Sequence, residues 1–230
     1  MRKKFMDITP AEARAIQDDL RSKVIISPLK MPPTYIAGAD VSFVKHSTTL
    51  YAAVVIFAMP NLSIIDQALG QMEITFPYIP GYLSFREAPV IIQTFNQLKL
   101  KPDVLICDGQ GIAHPRRLGL ACHLGILLDI PTIGCAKNRL IGEYSEPDNF
   151  QWAQSPLLEQ NEQVGVVLRT KDNVKPLFIS PGHKTDCATS VEVIKASIRK
   201  YRNPEPIRYA HHLVNSYRKK FSNESQEKSI

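Results

Sequence analysis

The chain is poor in cysteine: Cys107, Cys122, Cys135 and Cys187 are the 4 in 230 residues, and no two form a C-x-x-C pair. That spacing argues against a structural zinc site. Three of the four sit in apolar strand or helix patterns, where a free thiol packs as a small hydrophobe, so a reducing, cytoplasmic setting is expected. No apolar run approaches the length of a membrane span. The longest, residues 51–59, has the length of a buried strand. The first residues, MRKKFMDITP, are basic but lack an apolar segment, so no secretory signal is expected. Internal repeats are absent.

What is present is enough for one substantial core. At 44% hydrophobic, the chain predicts a single domain over residues 1–221 and a polar, disordered tail at 222–230. The formal net charge of +6 and a pI near 9.1 favour a polyanionic partner, nucleic acid or an acidic surface.

Thr9-Pro10-Ala11-Glu12 reads as a capping box with proline at the first helical position. It predicts a helix of roughly four turns with Ile16, Leu20 and Val24 on one side. Strands are expected at 35–43, 51–59 and 63–75, in an antiparallel meander. A helix at 84–98, a strand at 104–107, a helix at 118–128 and a strand at 132–136 follow, an alternation that argues for parallel additions to the sheet. Residues 143–163 are polar and carry little signal. Residues 163–170 and 176–180 predict a hairpin around Lys171-Asp172-Asn173, and helices are expected at 189–201 and 206–221. The fold class is therefore α/β: a mixed sheet, three antiparallel strands then parallel ones, flanked by helices in the order of the ribonuclease H-like fold.

The chain is organised around residues 102–119, PDVLICDGQGIAHPRRLG. Asp108 ends a short buried strand, where a carboxylate meets the cleft in α/β proteins. Gly109 and Gly111 permit close approach of the backbone to a ligand. His114, Arg116 and Arg117 add a titratable ring and two fixed charges. A solvated strand-to-helix loop has the same signature. Asp40 lies inside the small and apolar run YIAGADVSF, which is costly unless a cation or donor meets it, although a solvated edge strand would also accept it. Glu87 stands in S-x-x-E after Ser84 and reads either as a capping residue or as a third acid. Together, Asp40, Glu87 and Asp108 are what a Mg²⁺ ion and a phosphodiester need, because hard cations take carboxylate, water and phosphate oxygens.

In the helix from Pro206, a 3.6-residue period puts His211 on the inward stripe with Ile207, Ala210, Val214 and Tyr217, and His212 on the wet side. His211 is either a satisfied core histidine or a group near phosphate. FPYIPG, residues 76–81, is a proline-stiffened loop. It is either a surface turn or a wedge for a base stack. Lys137 and Arg139 follow a strand and read as a solvated pair or as phosphate contacts. Ser180-Pro-Gly-His183 and Asp186 receive no assignment from chemistry.

At these residues the chain resembles the endonuclease V family. The matching stretches are GADVSF (38–43), ITFPYIPGYLSFREAP (74–89), PDVLICDGQGIAHPRRLGLACHLG (102–125), IPTIGCAKNRLIG (130–142), ISPGH (179–183) and EPIRYAHHL (205–213). The resemblance implies a ribonuclease H-like fold and a Mg²⁺-dependent endonuclease, with Mn²⁺ as a substitute. It implies recognition of deaminated adenine (inosine) in DNA and a cut at the second phosphodiester 3′ to it, leaving 3′-hydroxyl and 5′-phosphate, in DNA repair. By position it makes Asp40, Glu87 and Asp108 the metal-binding acids, and His211 and Lys137 the catalytic companions. Pro77, Tyr78, Ile79 and Pro80 form the wedge; Leu83, Gly109, Gly111, Gly119, Leu120 and Leu140 surround the base pocket. His114, Lys137 and Arg139 contact phosphate or the active site. The expected partner is inosine-containing DNA, with no membrane and a monomeric state. The alternative is an endoribonuclease for inosine in single-stranded RNA, and from another class a basic nucleic-acid-binding module with a vestigial acidic cluster.

Overall fold

The computed structural model describes residues 8–45 and 47–227. The first helix is α1 (Pro10–Arg21), and its capping box forms as the sequence predicts: the Thr9 hydroxyl accepts from Glu12 N at 3.2 Å, and the Glu12 carboxylate accepts from Thr9 N at 2.7 Å. The helix stops at Arg21, leaving Val24 beyond its stripe. β1 (Tyr35–Phe43), β2 (Thr49–Ala58) and β3 (Ser63–Glu73) make the antiparallel meander. α2 (Leu83–Phe95), β4 (Val104–Cys107), α3 (Leu120–Leu128) and β5 (Thr132–Ala136) follow, with β4 parallel to β1 and β5 parallel to β4. Then come β6 (Gln154–Glu159), β7 (Glu162–Leu168), β8 (Leu177–Pro181), α4 (Cys187–Ser197) and α5 (Glu205–Glu227).

One eight-stranded sheet results, in the order β3-β2-β1-β4-β5-β8-β7-β6. Its far end departs from expectation. β8 joins β5 antiparallel, because a parallel addition needs a crossover and residues 137–153 supply no helix to make one. β7 and β8 form the expected hairpin, and β6 adds an unforeseen edge strand beside β7. Only Leu157 of β6 is buried, and Pro156 interrupts the pattern, so this strand leaves almost no periodic trace in the sequence.

Two cores cover the two faces. Ala37, Ala39, Val54, Leu105 and Cys107 meet α2 and α3 through Phe85, Ile91 and Leu124. Ile36, Val55, Val104 and Ile106 meet α4 and α5 through Ile194, Ile207 and Ala210. With both faces covered, β2 is buried without interruption from Leu50 to Phe57, which explains why its sequence shows no alternation. Each large side chain buried this way contributes roughly 2 kcal/mol.

α5 continues to Glu227, past Phe221 where the sequence ends it. Residues 228–230 of the expected tail lie outside the described residues. No helix among the described residues is long and apolar enough to cross a membrane.

Candidate active site

Strand register brings the first two acids together. Ala39 of β1 pairs with Cys107 of β4; Asp40 is the next residue of β1, and Asp108 is the first residue past the end of β4. Residues of this parity, Ile36 on β1 and Ile106 on β4, face α4 and α5. Asp40 is held with its side chain only 12% exposed. Burial raises its pKa, and the neighbouring Asp108 carboxylate raises it further; a hydrogen bond from His211 works the other way.

The third acid comes from the other face. α2 begins at Leu83 with Tyr82 at the cap position, so Ser84 lies inside the helix and the S-x-x-E capping box does not form. Glu87 instead turns toward the strand ends. Burial first, and then the charges of Asp40 and Asp108, push its pKa up to about 8, against a smaller opposing pull from Arg86. The Asp108 charge thus opposes ionisation of Asp40, and the charges of Asp40 and Asp108 oppose that of Glu87.

Two nitrogen-bearing side chains flank them. Lys137, just past β5, donates from Nζ to Asp108 Oδ2. Its own carbonyl accepts from Arg202 at 3.3 Å, and Arg202 also donates to Pro176 O at 2.7 Å. His211 Nδ1 lies 2.7 Å from Asp40 Oδ2. The approach of α5 depends on Gly38, because a Cβ there would sit 2.2 Å from the Pro206 carbonyl carbon. Asn215, one turn beyond His211, places Nδ2 3.2 Å from His211 Nε2 and is held in turn by the Ser42 hydroxyl at 2.8 Å. Ser42 and Asn215 are partners the sequence reading missed. The i, i+4 spacing of Asn215 from His211 was the available signal.

The glycine loop after β4 is packed rather than open. Gly111 N donates to Ser180 Oγ at 2.7 Å, and Ile112 N donates to Pro181 O at 2.8 Å. A Cβ on Gly111 would lie 1.9 Å from Pro181 O, so the close approach of the β8 backbone requires this glycine. Gly119 is hemmed in likewise, by Gln110 O at 2.3 Å. The segment without an assignment therefore has one: Ser180 holds the loop, and Asp186 caps α4 by accepting from Thr189 N at 2.8 Å. Gly109 is different. A Cβ there would make only ordinary contact with Leu120, at 3.4 Å. Leu83 is partly buried at the start of α2, and Leu140 is exposed beyond β5.

His114 does not present itself to a phosphate. It is buried, its Nε2 lies 3.2 Å from Gly81 O, and burial with the nearby Arg116 charge lowers its pKa to about 4. Arg139 is exposed, donating to Gly142 O at 2.9 Å and lying over the Tyr144 ring. In the 76–81 loop, Phe76 is buried, Pro77 and Pro80 are exposed, Ile79 packs against the α2 core, and Tyr78 is 65% exposed at the tip.

The carboxylates fit a hard cation by their chemistry: all donors are oxygen, and they stand in mutual repulsion that a divalent charge would relieve. Among the described residues no group of three His, Cys, Asp or Glu side chains is placed to hold a metal ion by itself. Mg²⁺ in general keeps waters and takes one or two carboxylates together with substrate phosphate.

A sequence model described as Endonuclease V matches residues 18–212. The endonuclease V of Rippkaea orientalis is 43% identical over 207 residues, covering 89% of this chain and 90% of that protein. Among solved structures, the endonuclease V of Streptomyces avermitilis superposes with a TM-score of 0.89 at 39% identity, covering 94% of this chain and 96% of that one. The Ciona intestinalis endonuclease V, crystallised as a D234N variant with a 23mer DNA containing an inosine followed by a ribo-adenosine, gives a TM-score of 0.82 at 30% identity, covering 93% and 100%.

Proposed function

The chain belongs to the endonuclease V family, and from that premise we propose that it is a monomeric, Mg²⁺-dependent endonuclease of DNA repair that recognises deoxyinosine and cuts the second phosphodiester 3′ to it. The observation that carries this reading is the Asp40–Glu87–Asp108 group, whose shared desolvation pushes the Glu87 pKa up to about 8. The meander followed by parallel β4 and β5 supports a ribonuclease H-like framework for it. A relative crystallised with inosine-containing DNA supports the substrate.

Asp40, Asp108 and Glu87 would hold the divalent cation. When bound, such a cation supplies an activated water and neutralises charge on the phosphate. The chain's own groups do the rest. Lys137 uses one N–H on Asp108 and has two left for a phosphate oxygen. His211 keeps a proton at Nδ1 on Asp40, while its half-exposed ring faces the substrate side. Tyr78, at the tip of a loop stiffened by Pro77 and Pro80, is the wedge that enters the base stack. The extruded base would lie beside Gly109, Leu120 and Leu83, where main-chain N–H groups can read the O6 of hypoxanthine.

The test is cleavage of a labelled strand carrying one deoxyinosine, with Mg²⁺ or with EDTA. The expected product is a metal-dependent nick at the second 3′ phosphodiester, with 3′-hydroxyl and 5′-phosphate ends. Cutting of the ribo-inosine strand alone would replace this reading with an endoribonuclease. Binding without any nick would leave a nucleic-acid-binding module.

A further inference from the structure

The far end of the wedge loop is fastened in a way the reaction above does not use. The Gly81 carbonyl receives three donors from two other parts of the chain: Gln17 Nε2 at 3.0 Å, Arg116 Nη2 at 2.6 Å and His114 Nε2 at 3.2 Å. A carbonyl oxygen offers two lone pairs, so this acceptor is saturated. Gln17 comes from α1, and its side chain is completely buried. Its amide spans the site, since Nε2 donates to Gly81 while Oε1 accepts from Arg116 Nε. The Arg116 guanidinium lies 4.3 Å over the Tyr82 ring, and Arg116 N donates to His114 Nδ1 at 3.2 Å. Gly81 itself has φ +80, where glycine is favoured, and a Cβ there would come within 2.9 Å of Arg116 Nη2.

The near end of the loop is tied as well. Arg86 Nη1 donates to Phe76 O at 2.8 Å, and Phe76 is buried. Between the two anchors, Tyr82 N closes a turn onto Ile79 O at 3.0 Å. Only the tip, with Tyr78, is free to solvent.

We propose that Gln17, acting with Arg116, is a positioning residue that clamps the Gly81 end of the 76–81 loop, so that Tyr78 pushes against a base stack without yielding. The inference rests on the wedge reading above. Opening a base from a stack costs a few kcal/mol, and a loop that bends under that load transmits less of it to the DNA. A clamp of this kind matters where a stack and a partner strand resist, and much less on a single strand whose inosine is already accessible. The N-terminal helix is thereby given a task in substrate opening, although Gln17 touches neither the acids nor the loop tip.

The test uses the full chain with Gln17→Met, which keeps the volume and removes both hydrogen bonds, and Arg116→Lys, which keeps the charge but removes the planar fork that bonds Gln17 through Nε and Gly81 through Nη2. Cleavage is compared on inosine in duplex and in single-stranded DNA, and 2-aminopurine beside the inosine reports unstacking at saturating protein. Melting temperatures identify any variant that fails to fold, in which case the other variant decides. The expected result is a loss of roughly fivefold or more in kcat/KM on duplex, within twofold of wild type on single strand, with a reduced 2-aminopurine signal. Equal losses on both substrates, or none on duplex, would overturn the clamp. A wild-type protein that cuts neither substrate would instead overturn the nuclease reading, and the fluorescence comparison would then decide the clamp by itself.

Discussion

His211 Nδ1 stands 2.7 Å from Asp40 Oδ2, although 171 positions separate the two residues in sequence. Asn215 and Ser42 continue the contact, so strand β1 and helix α5 are joined by a hydrogen-bonded relay at the edge of the acid group. His211→Ala should lower single-turnover cleavage roughly a hundredfold or more while leaving the affinity for inosine DNA within a few-fold. Asp40→Ala and Asp108→Ala should abolish cleavage and retain binding. Loss of binding with the chemical step intact would overturn these assignments.

The same contact depends on backbone packing at Gly38. A methyl group there lies 2.2 Å from the Pro206 carbonyl carbon, and backbone on both sides leaves little room to relax. Gly38→Ala should cost about 1–3 kcal/mol in urea unfolding and lower activity by displacing His211. An unchanged midpoint with full activity would show that α5 does not need this approach.

Glu87 carries a pH signature. Its folded pKa of about 8 lies above the ordinary 4.5, so the fold prefers the protonated carboxyl. That preference is fully present below pH 4.5 and is lost as pH rises through 8. Metal-free protein should therefore lose stability by a few kcal/mol over this interval, on the order of 1.4 kcal/mol per unit. Glu87→Gln should melt higher than wild type at pH 8 in EDTA yet be inactive, and added Mg²⁺ should raise the melting temperature of wild type more than that of the variant. A variant that melts lower at pH 8 contradicts the account.

Tyr78 is exposed at the loop tip, with no core role to lose. Tyr78→Ala should weaken binding of duplex inosine DNA more than of single-stranded inosine DNA, measured by titration at matched salt. Equal weakening on the two would remove the wedge role.

Buried imidazoles, His114 and His123 among them, oppose protonation on the acid side. Burial lowers the pKa of both His114 and His123 to about 4, from an ordinary 6.5. The unfolded chain takes up protons below pH 6.5 that the folded protein refuses until about 4, so stability falls as pH drops through that window, by up to about 3 kcal/mol per ring. His123→Gln should flatten the fall in melting temperature between pH 6.5 and 4.5. A slope identical to wild type would assign the acid lability elsewhere.

By itself, the sequence determined the local matters and the family. Thr9 and Glu12 predict their capping box, and the 35–43 and 104–107 runs predict the strands that carry Asp40 and stop before Asp108; the period from Pro206 puts His211 on the side of α5 that reaches Asp40, where it stays half-exposed rather than buried. These are legible because they depend on neighbours a few positions apart. Ser84-Phe-Arg-Glu87 misled for the same reason: its local pattern is a capping box, and only the start of α2 at Leu83 frees Glu87 to join the other acids. The tertiary structure alone decided what long-range contact imposes. Pro181 O explains why position 111 must be glycine, and burial beside the Arg116 charge, against the pull of the Gly81 hydrogen bond, explains why the His114 pKa is low. The charge coupling of Asp40, Glu87 and Asp108 likewise exists only once β1, β4 and α2 meet, because electrostatic repulsion and desolvation depend on distance in space and not along the chain.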